Sequence, residues 1–195
     1  TESIEALVKY YDEFKTIDHD LKIAAVFSYG ANEESEGKDE HSRDALERII
    51  QDYNKMFRTN YSTNTFNAYN SDISKKVKSK QIDILIVVNM YLTGFDSKPL
   101  NTLYVDKWLK YHDLLQAFSR TNRVFNDDKP HGIIRYYRRP YTMKNIIEYA
   151  FEQYSGQKPY GIFVAKLIQN LENMNAAFSD INDIFKIAGI PDFFK

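Results

Sequence analysis

Ile82 to Val88 is an almost unbroken run of Ile, Leu and Val, interrupted only by Asp83. A strand with one wet face alternates apolar and polar residues, so a run this uniform suits a strand buried on both faces of a parallel sheet. Parallel neighbours are joined by crossover connections, usually helices, and the rest of the chain is expected to alternate strand with helix.

The pattern bears this out along the first two thirds of the chain. Ile4, Leu7, Val8, Tyr11 and Phe14 recur at helical spacing, and the apolar run Ile23 to Phe27 follows as a strand. Gly30 to Gly37 reads as a loop, and Ala45, Leu46, Ile49, Ile50, Tyr53 and Phe57 mark an amphipathic helix. Tyr61 to Tyr69 carries no clear period, and Ser71 to Lys80 reads as a short helix with a basic side. Further strands are predicted at Thr102 to Val105 and Gly132 to Tyr137, with a helix over Tyr111 to Ser119 between them. After Pro140 the periods are helical: Tyr141 to Gln153, Ile162 to Phe178 and Ile181 to Ala188, punctuated by Gly156, Pro159, Gly189 and Pro191. The expected fold is α/β with a mostly parallel sheet over residues 1–156, followed by a helical connector over residues 157–195. Ile162, Phe163, Leu167, Ile168 and Leu171 give that connector more apolar surface than a free helix needs.

Composition narrows the chemistry. With no cysteine among 195 residues, disulfides, thiolate nucleophiles and the usual zinc frameworks are excluded. No apolar run approaches the roughly 20 residues that cross a bilayer, and a cytoplasmic setting without membrane contact is the expectation. The formal net charge of -1 gives no global pull on nucleic acid, so any such contact must be a local patch. Seven acids lie between Glu33 and Glu47, and Lys129, Arg135, Arg138, Arg139 and Lys144 form a basic run. Both read as solvated faces.

Two groups of residues carry candidate chemistry. Tyr91 to Asp96, YLTGFD, directly follows the buried strand, and ligands of parallel sheets gather at the carboxyl ends of strands. Thr93, Gly94 and Asp96 fit that role; they fit equally an ordinary turn in which Gly94 supplies unusual backbone angles and Asp96 caps. Gln116, Arg120 and Arg123 lie within QAFSRTNRV, and at about 100° per residue they share one helical face within about 60°. Two clustered arginines suit a phosphoryl group that gains charge in its transition state; they also suit solvation or carboxylate pairing.

Together these segments resemble the late motifs of superfamily 2 helicases and translocases, whose last motif reads Gln, three residues, Arg, two residues, Arg. The surrounding words make the likeness specific: VFSYGANEE (Val26 to Glu34), FNAYNSDISKKVK (Phe66 to Lys78), ILIVVNMYLTGFD (Ile84 to Asp96), LNTLYVDK (Leu100 to Lys107) and QAFSRTNRV (Gln116 to Val124). In order and combination they resemble the motor subunit of type I restriction enzymes over roughly Lys22 to Tyr137. Ser119 and Asn122 depart from the superfamily, standing where glycines are common.

The resemblance implies a RecA-like three-layer lobe, the second of two in an ATP-dependent DNA translocase. By motif transfer, Arg120 and Arg123 complete an ATP site, Gln116, Gly94 and Asp96 couple nucleotide state to lobe closure, and Ser28 and Thr93 contact duplex DNA. ATP and Mg2+ belong to the complete enzyme and are bound mainly by a first lobe. The implied partners are that lobe, an N-terminal nuclease domain, and modification and specificity subunits.

What the chain lacks agrees with that division. Gly37-Lys38 is not a phosphate loop, since Asp39 follows it and Gly30 precedes it at the wrong spacing. Asp20 with Glu36 and Lys38 imitates a nuclease signature from a loop, and His19, His41, His112 and His131 have no metal-ligand spacing. Two other readings stay open: a lobe from a different superfamily 2 motor, and an inert α/β module whose arginines bind a partner's carboxylates.

Overall fold

The computed structural model describes residues 1–28, 36–109, 111–127, 129–154 and 167–189, and the side chains of residues 36–40, 111, 154 and 167–169 lie outside that description. The chain divides into two units, Thr1–Ala150 and Phe151–Lys195. Gly156, the expected boundary, lies outside the described residues.

In the first unit the order is α1 (Ile4–Thr16), β1 (Ile23–Phe27), α2 (Glu36–Phe57), a 3-10 turn (Thr63–Thr65), α3 (Phe66–Lys78), β2 (Ile84–Val88), β3 (Thr102–Val105), α4 (Tyr111–Phe118), β4 (Ile133–Tyr136) and the greater part of α5 (Pro140–Tyr154). Ser3 starts α1 because its hydroxyl accepts the otherwise orphaned Ala6 N–H at 3.1 Å. Leu7 and Tyr11, four apart, then face the core. The 3-10 turn and the start of α3 fall where no period was visible; Thr65 Oγ1 accepts the Ser62 N–H at 2.9 Å, a local bond that periodicity does not register.

β1 and β2 pair in parallel, Ile23 opposite Ile84 through Phe27 opposite Val88. All five residues of β1 are buried, while β2 is only partly buried, so the strand that looked fully buried from sequence is the less enclosed of the two. Asp83 fixes where the ladder begins: its N–H donates to the Lys22 carbonyl at 2.9 Å, and its carboxylate accepts the Lys22 N–H at 2.8 Å. One apolar cluster gathers Leu7, Tyr11, β1, Leu46, Ile49, Ile50, Tyr53, Tyr69, Ile73 and Ile86. Tyr69 is fully buried and satisfies its hydroxyl by donating to the Ala25 carbonyl at 2.8 Å.

β3 and β4 also pair in parallel, Thr102 opposite Ile133 through Val105 opposite Tyr136. The strands are thus parallel, as expected, but among the described residues no ladder joins the two pairs into one sheet. The chain leaving β2 bends through positive φ at Asn89, Tyr91 and Gly94 before β3 begins.

In the second unit α6 (Leu167–Ile187) is continuous, where the sequence suggested two helices. Leu171, Met174, Phe178 and Ile181 are exposed along it at three- and four-residue spacing. No helix among the described residues is long and apolar enough to cross a membrane.

Candidate functional site

The site grows from the carboxyl edge of the β1–β2 pair. Phe27 and Val88 are register partners, so Ser28 and the segment from Asn89 leave the same edge. That segment is anchored by its aromatics. Tyr91 donates to the Asn70 carbonyl at 3.0 Å and also meets the Asn70 side chain. Its ring packs edge-on against Phe95 at 4.6 Å, and burial pushes the phenol up to about 12. With Tyr91 half-buried and Phe95 buried, Thr93 and Gly94 stand exposed between them. Gly94 has φ +69° and open space around its Cα, so its dihedral, not crowding, calls for glycine.

The arginines reach this segment from the far end of α4, though not along one helix. α4 stops at Phe118. Arg120 N–H donates to the Ala117 carbonyl at 3.1 Å and Thr121 N–H to the Phe118 carbonyl at 3.3 Å, a tightened last turn. Ser119 assists by donating its hydroxyl to the Gln116 carbonyl at 2.7 Å. The shared helical face expected for Gln116, Arg120 and Arg123 therefore does not exist. Ser119, Thr121 and Asn122 offer the backbone local alternatives to helix, and the chain takes one.

The two guanidiniums do different things. Arg120 is half-buried and donates through Nε to the Gln116 carbonyl at 3.1 Å, through Nη2 to Ser119 Oγ at 2.8 Å, and through Nη1 to the Phe95 carbonyl. It braces the aromatic anchor of the 91–96 segment. Arg123, from the extended stretch after the turn, meets Asp96 at 2.5 Å with both side chains about half exposed, 52% and 51%. Gln116 lies with its amide against the His112 ring and touches neither arginine through its side chain in any hydrogen bond among the described residues. The structure thus brings Arg120, Arg123, Asp96 and the backbone beside Gly94 together, with Thr93 and Ser28 exposed on the same edge of β1–β2.

One residue of this group was misread from sequence. Lys129, expected on a solvated basic face, is 5% exposed. Its ammonium donates to the Lys98 carbonyl at 2.7 Å and the Arg123 carbonyl at 2.5 Å, and burial lowers its pKa from the ordinary 10.5. A lysine in the setting NDDKPHG carries no period that marks it as buried. The rest of the basic run is exposed: Arg138 pairs with Asp106 at 2.8 Å and with Glu2, Arg139 lies over the Trp108 ring at 4.8 Å, and Lys144 meets Glu148 at 3.8 Å. Gly132 closes the segment from behind, since a Cβ there would stand 2.3 Å from the Thr121 carbonyl oxygen. The Glu36 and Lys38 side chains lie outside the described residues, but their backbone is helical, unlike the strand a nuclease signature needs. His19 is a turn residue, its Nδ1 accepting the Leu21 N–H at 3.1 Å.

An α/β unit with an arginine-bearing loop at the carboxyl edge of parallel strands is the class that fold and site define. Residues 1–139 match the family model for type I restriction enzyme subunit R domain 3, and the chain belongs to that family. Among curated relatives, it is 62% identical over 148 residues to the type I restriction enzyme SsaAORF53P endonuclease subunit of Staphylococcus saprophyticus. It is 55% identical over 147 residues to the SauCOLORF180P endonuclease subunit of Staphylococcus aureus strain COL; each alignment covers 70% of this chain and 16% of the relative. The putative MjaVIIP endonuclease subunit of Methanocaldococcus jannaschii is 37% identical over 131 residues, 67% of this chain and 11% of that protein. The chain therefore spans only a small part of the length of the relatives it matches.

Proposed function

We propose that this chain is the second RecA-like lobe, with three-layer architecture, of an ATP-dependent DNA-translocating motor in a type I restriction endonuclease subunit. The observation that carries the reading is Arg123: a permanently charged fork on the carboxyl edge of parallel strands, half exposed, and held only by a surface carboxylate among the described residues. Membership of the R-subunit family supports it.

In this reading the lobe closes on ATP bound by a first lobe. The arginines fit contact with an anionic phosphoryl group. In this reading magnesium belongs with the ATP held by the first lobe. Arg123 leaves Asp96 for the phosphoryl oxygens and stabilises charge that develops on them. Arg120 is the costlier of the two to free, since three acceptors hold it, and it keeps the Phe95 carbonyl and hence the 93–96 backbone in place. Gln116, Gly94 and Asp96 transmit closure between α4 and the strand edge. Ser28 and Thr93 offer hydroxyls to DNA phosphates, a contact without base preference and sensitive to salt. Modification and specificity subunits complete the assembly.

The test is DNA-stimulated ATP turnover by the full-length subunit carrying Arg123→Ala or Arg123→Lys. Arginine fingers are worth about 10³ to 10⁵ in rate, and lysine loses the planar fork, so both variants should fail with ATP affinity little changed. Turnover within a factor of about three of the parent would refute the role.

A further inference from the structure

We propose that Lys129 is a positioning residue that holds the Arg123 backbone fixed while its side chain moves. The consequence for catalysis rests on the function proposed above; the tether itself rests on geometry.

Three contacts and the covalent chain close a ring. Asp96 binds the Arg123 guanidinium at 2.5 Å; the Arg123 carbonyl accepts from Lys129 at 2.5 Å; Lys129 donates also to the Lys98 carbonyl at 2.7 Å; and Ser97 joins Lys98 back to Asp96. Lys129 is itself seated by its own backbone, its N–H donating to the Asn126 carbonyl at 3.0 Å and its carbonyl accepting from Phe125 N–H at 3.3 Å. Gly132 lies so close to the Thr121 carbonyl that a Cβ there would stand 2.3 Å from its oxygen.

The chemistry of the tether is unusual. The ammonium is almost wholly buried, yet the acceptors that hold it are backbone carbonyls, and no ion pair of Lys129 with a carboxylate occurs among the described residues. Methionine, of similar length, would fill the same space without desolvating a charge, but it would leave the Lys98 and Arg123 carbonyls without this donor, which offsets that gain. What methionine cannot supply is two directed bonds to the carbonyls on either side of the Arg123–Asp96 pair. When Arg123 turns from Asp96 toward a ligand, the Asp96 link of the ring opens and the Lys129 links remain, so the guanidinium pivots about a fixed Cα.

The experiment uses the full-length subunit with Lys129→Met, alone and combined with Arg123→Ala, and Lys129→Gln as a neutral donor. Expected for Lys129→Met are at most a modest fall in melting temperature, faster amide exchange confined to residues 121–129, and turnover at saturating ATP lowered about tenfold with KM nearly unchanged. Lys129→Gln should recover part of that loss. In the Arg123→Ala background Lys129→Met should cost nothing further, because there is no guanidinium left to position. Equal losses with and without Arg123, or a large fall in melting temperature with parental exchange at 121–129, would make Lys129 a structural residue and overturn the proposal. The two readings fail separately. If Arg123→Ala leaves turnover intact the motor role falls, and the exchange measurement still decides the tether: acceleration at 121–129 supports it, parental protection there refutes it.

Discussion

Around β1 and β2, Leu7, Phe27, Ile49, Ile50, Tyr53 and Ile73 pack into one apolar cluster, whereas the contacts that fix Arg120, Arg123 and Lys129 all end on carbonyl, hydroxyl or carboxylate oxygens. The first region is held by area removed from water, which is large, non-directional and tolerant of small shifts. The second is held by a few directed bonds, modest in net stability but demanding in geometry. Stability and precision are thus concentrated in different parts of the Thr1–Ala150 unit. Substitutions should separate them.

The largest stability effect belongs to the apolar cluster. Ile73 is fully buried on α3, and Ile73→Ala should cost about 2–5 kcal/mol, read as a fall in the denaturation midpoint. A cost below about 1 kcal/mol would mean that the cluster collapses around the gap and that the contrast between the regions is weaker than drawn here.

Gly132→Ala comes next, and it tests whether the polar region tolerates crowding. With a Cβ 2.3 Å from the Thr121 oxygen the backbone must move, which should cost about 1–3 kcal/mol and displace the arginine segment. Amide exchange at residues 121–132 checks the displacement. Unchanged protection would show that the segment has room the structure does not reveal.

Asp72 sharpens the comparison inside the first region, because it is a charged group at the margin of the apolar cluster. It accepts from Tyr53 Oη at 2.8 Å and pairs with Lys76. Burial acts to raise its pKa, but the hydrogen bonds from Lys76 and Tyr53 outweigh it and hold the carboxyl below its ordinary 3.8. A carboxyl depressed on folding binds its proton more tightly when unfolded. Its stabilisation is therefore present above about pH 4 and disappears as pH falls through the folded value. Urea midpoints measured from about pH 6 to about pH 3 should fall less steeply for Asp72→Asn than for the parent. Parallel slopes would remove Asp72 from the acid response.

The smallest stability effect is expected for Asp96→Ala. Both partners of its ion pair are about half exposed, and such pairs contribute about 0–1 kcal/mol, so the denaturation midpoint should hardly move. A loss above about 2 kcal/mol would show that Asp96 does more than pair at the surface.

The same contrast explains what could be read from sequence. β1 and β3 were placed with their observed ends, because runs of apolar residues state burial directly. The spacing of Gln116, Arg120 and Arg123 implied a shared helical face that the structure does not form: helical period does not extend past Phe118, where hydroxyl and amide side chains end the helix. Ser119 and Asn122, noticed only as departures from a motif, belong to the stretch where the helix ends. Lys129 was beyond pattern altogether. Nothing in the local sequence distinguishes an ammonium in water from one buried against two carbonyls that come from residues 6 and 31 positions away. The joining of strands into sheets was equally illegible, since apolar runs state burial and not which strand lies beside which.

The Asp96–Arg123 pair makes any anion arriving at Arg123 a competitor before it is a ligand. Binding there is an exchange, one acid for another, and its apparent strength is the difference between the two. With a surface pair worth at most about 1 kcal/mol, the handicap is no more than about fivefold for any anion. An anion that takes the Arg123 guanidinium from this pair frees the Asp96 carboxylate in the same event.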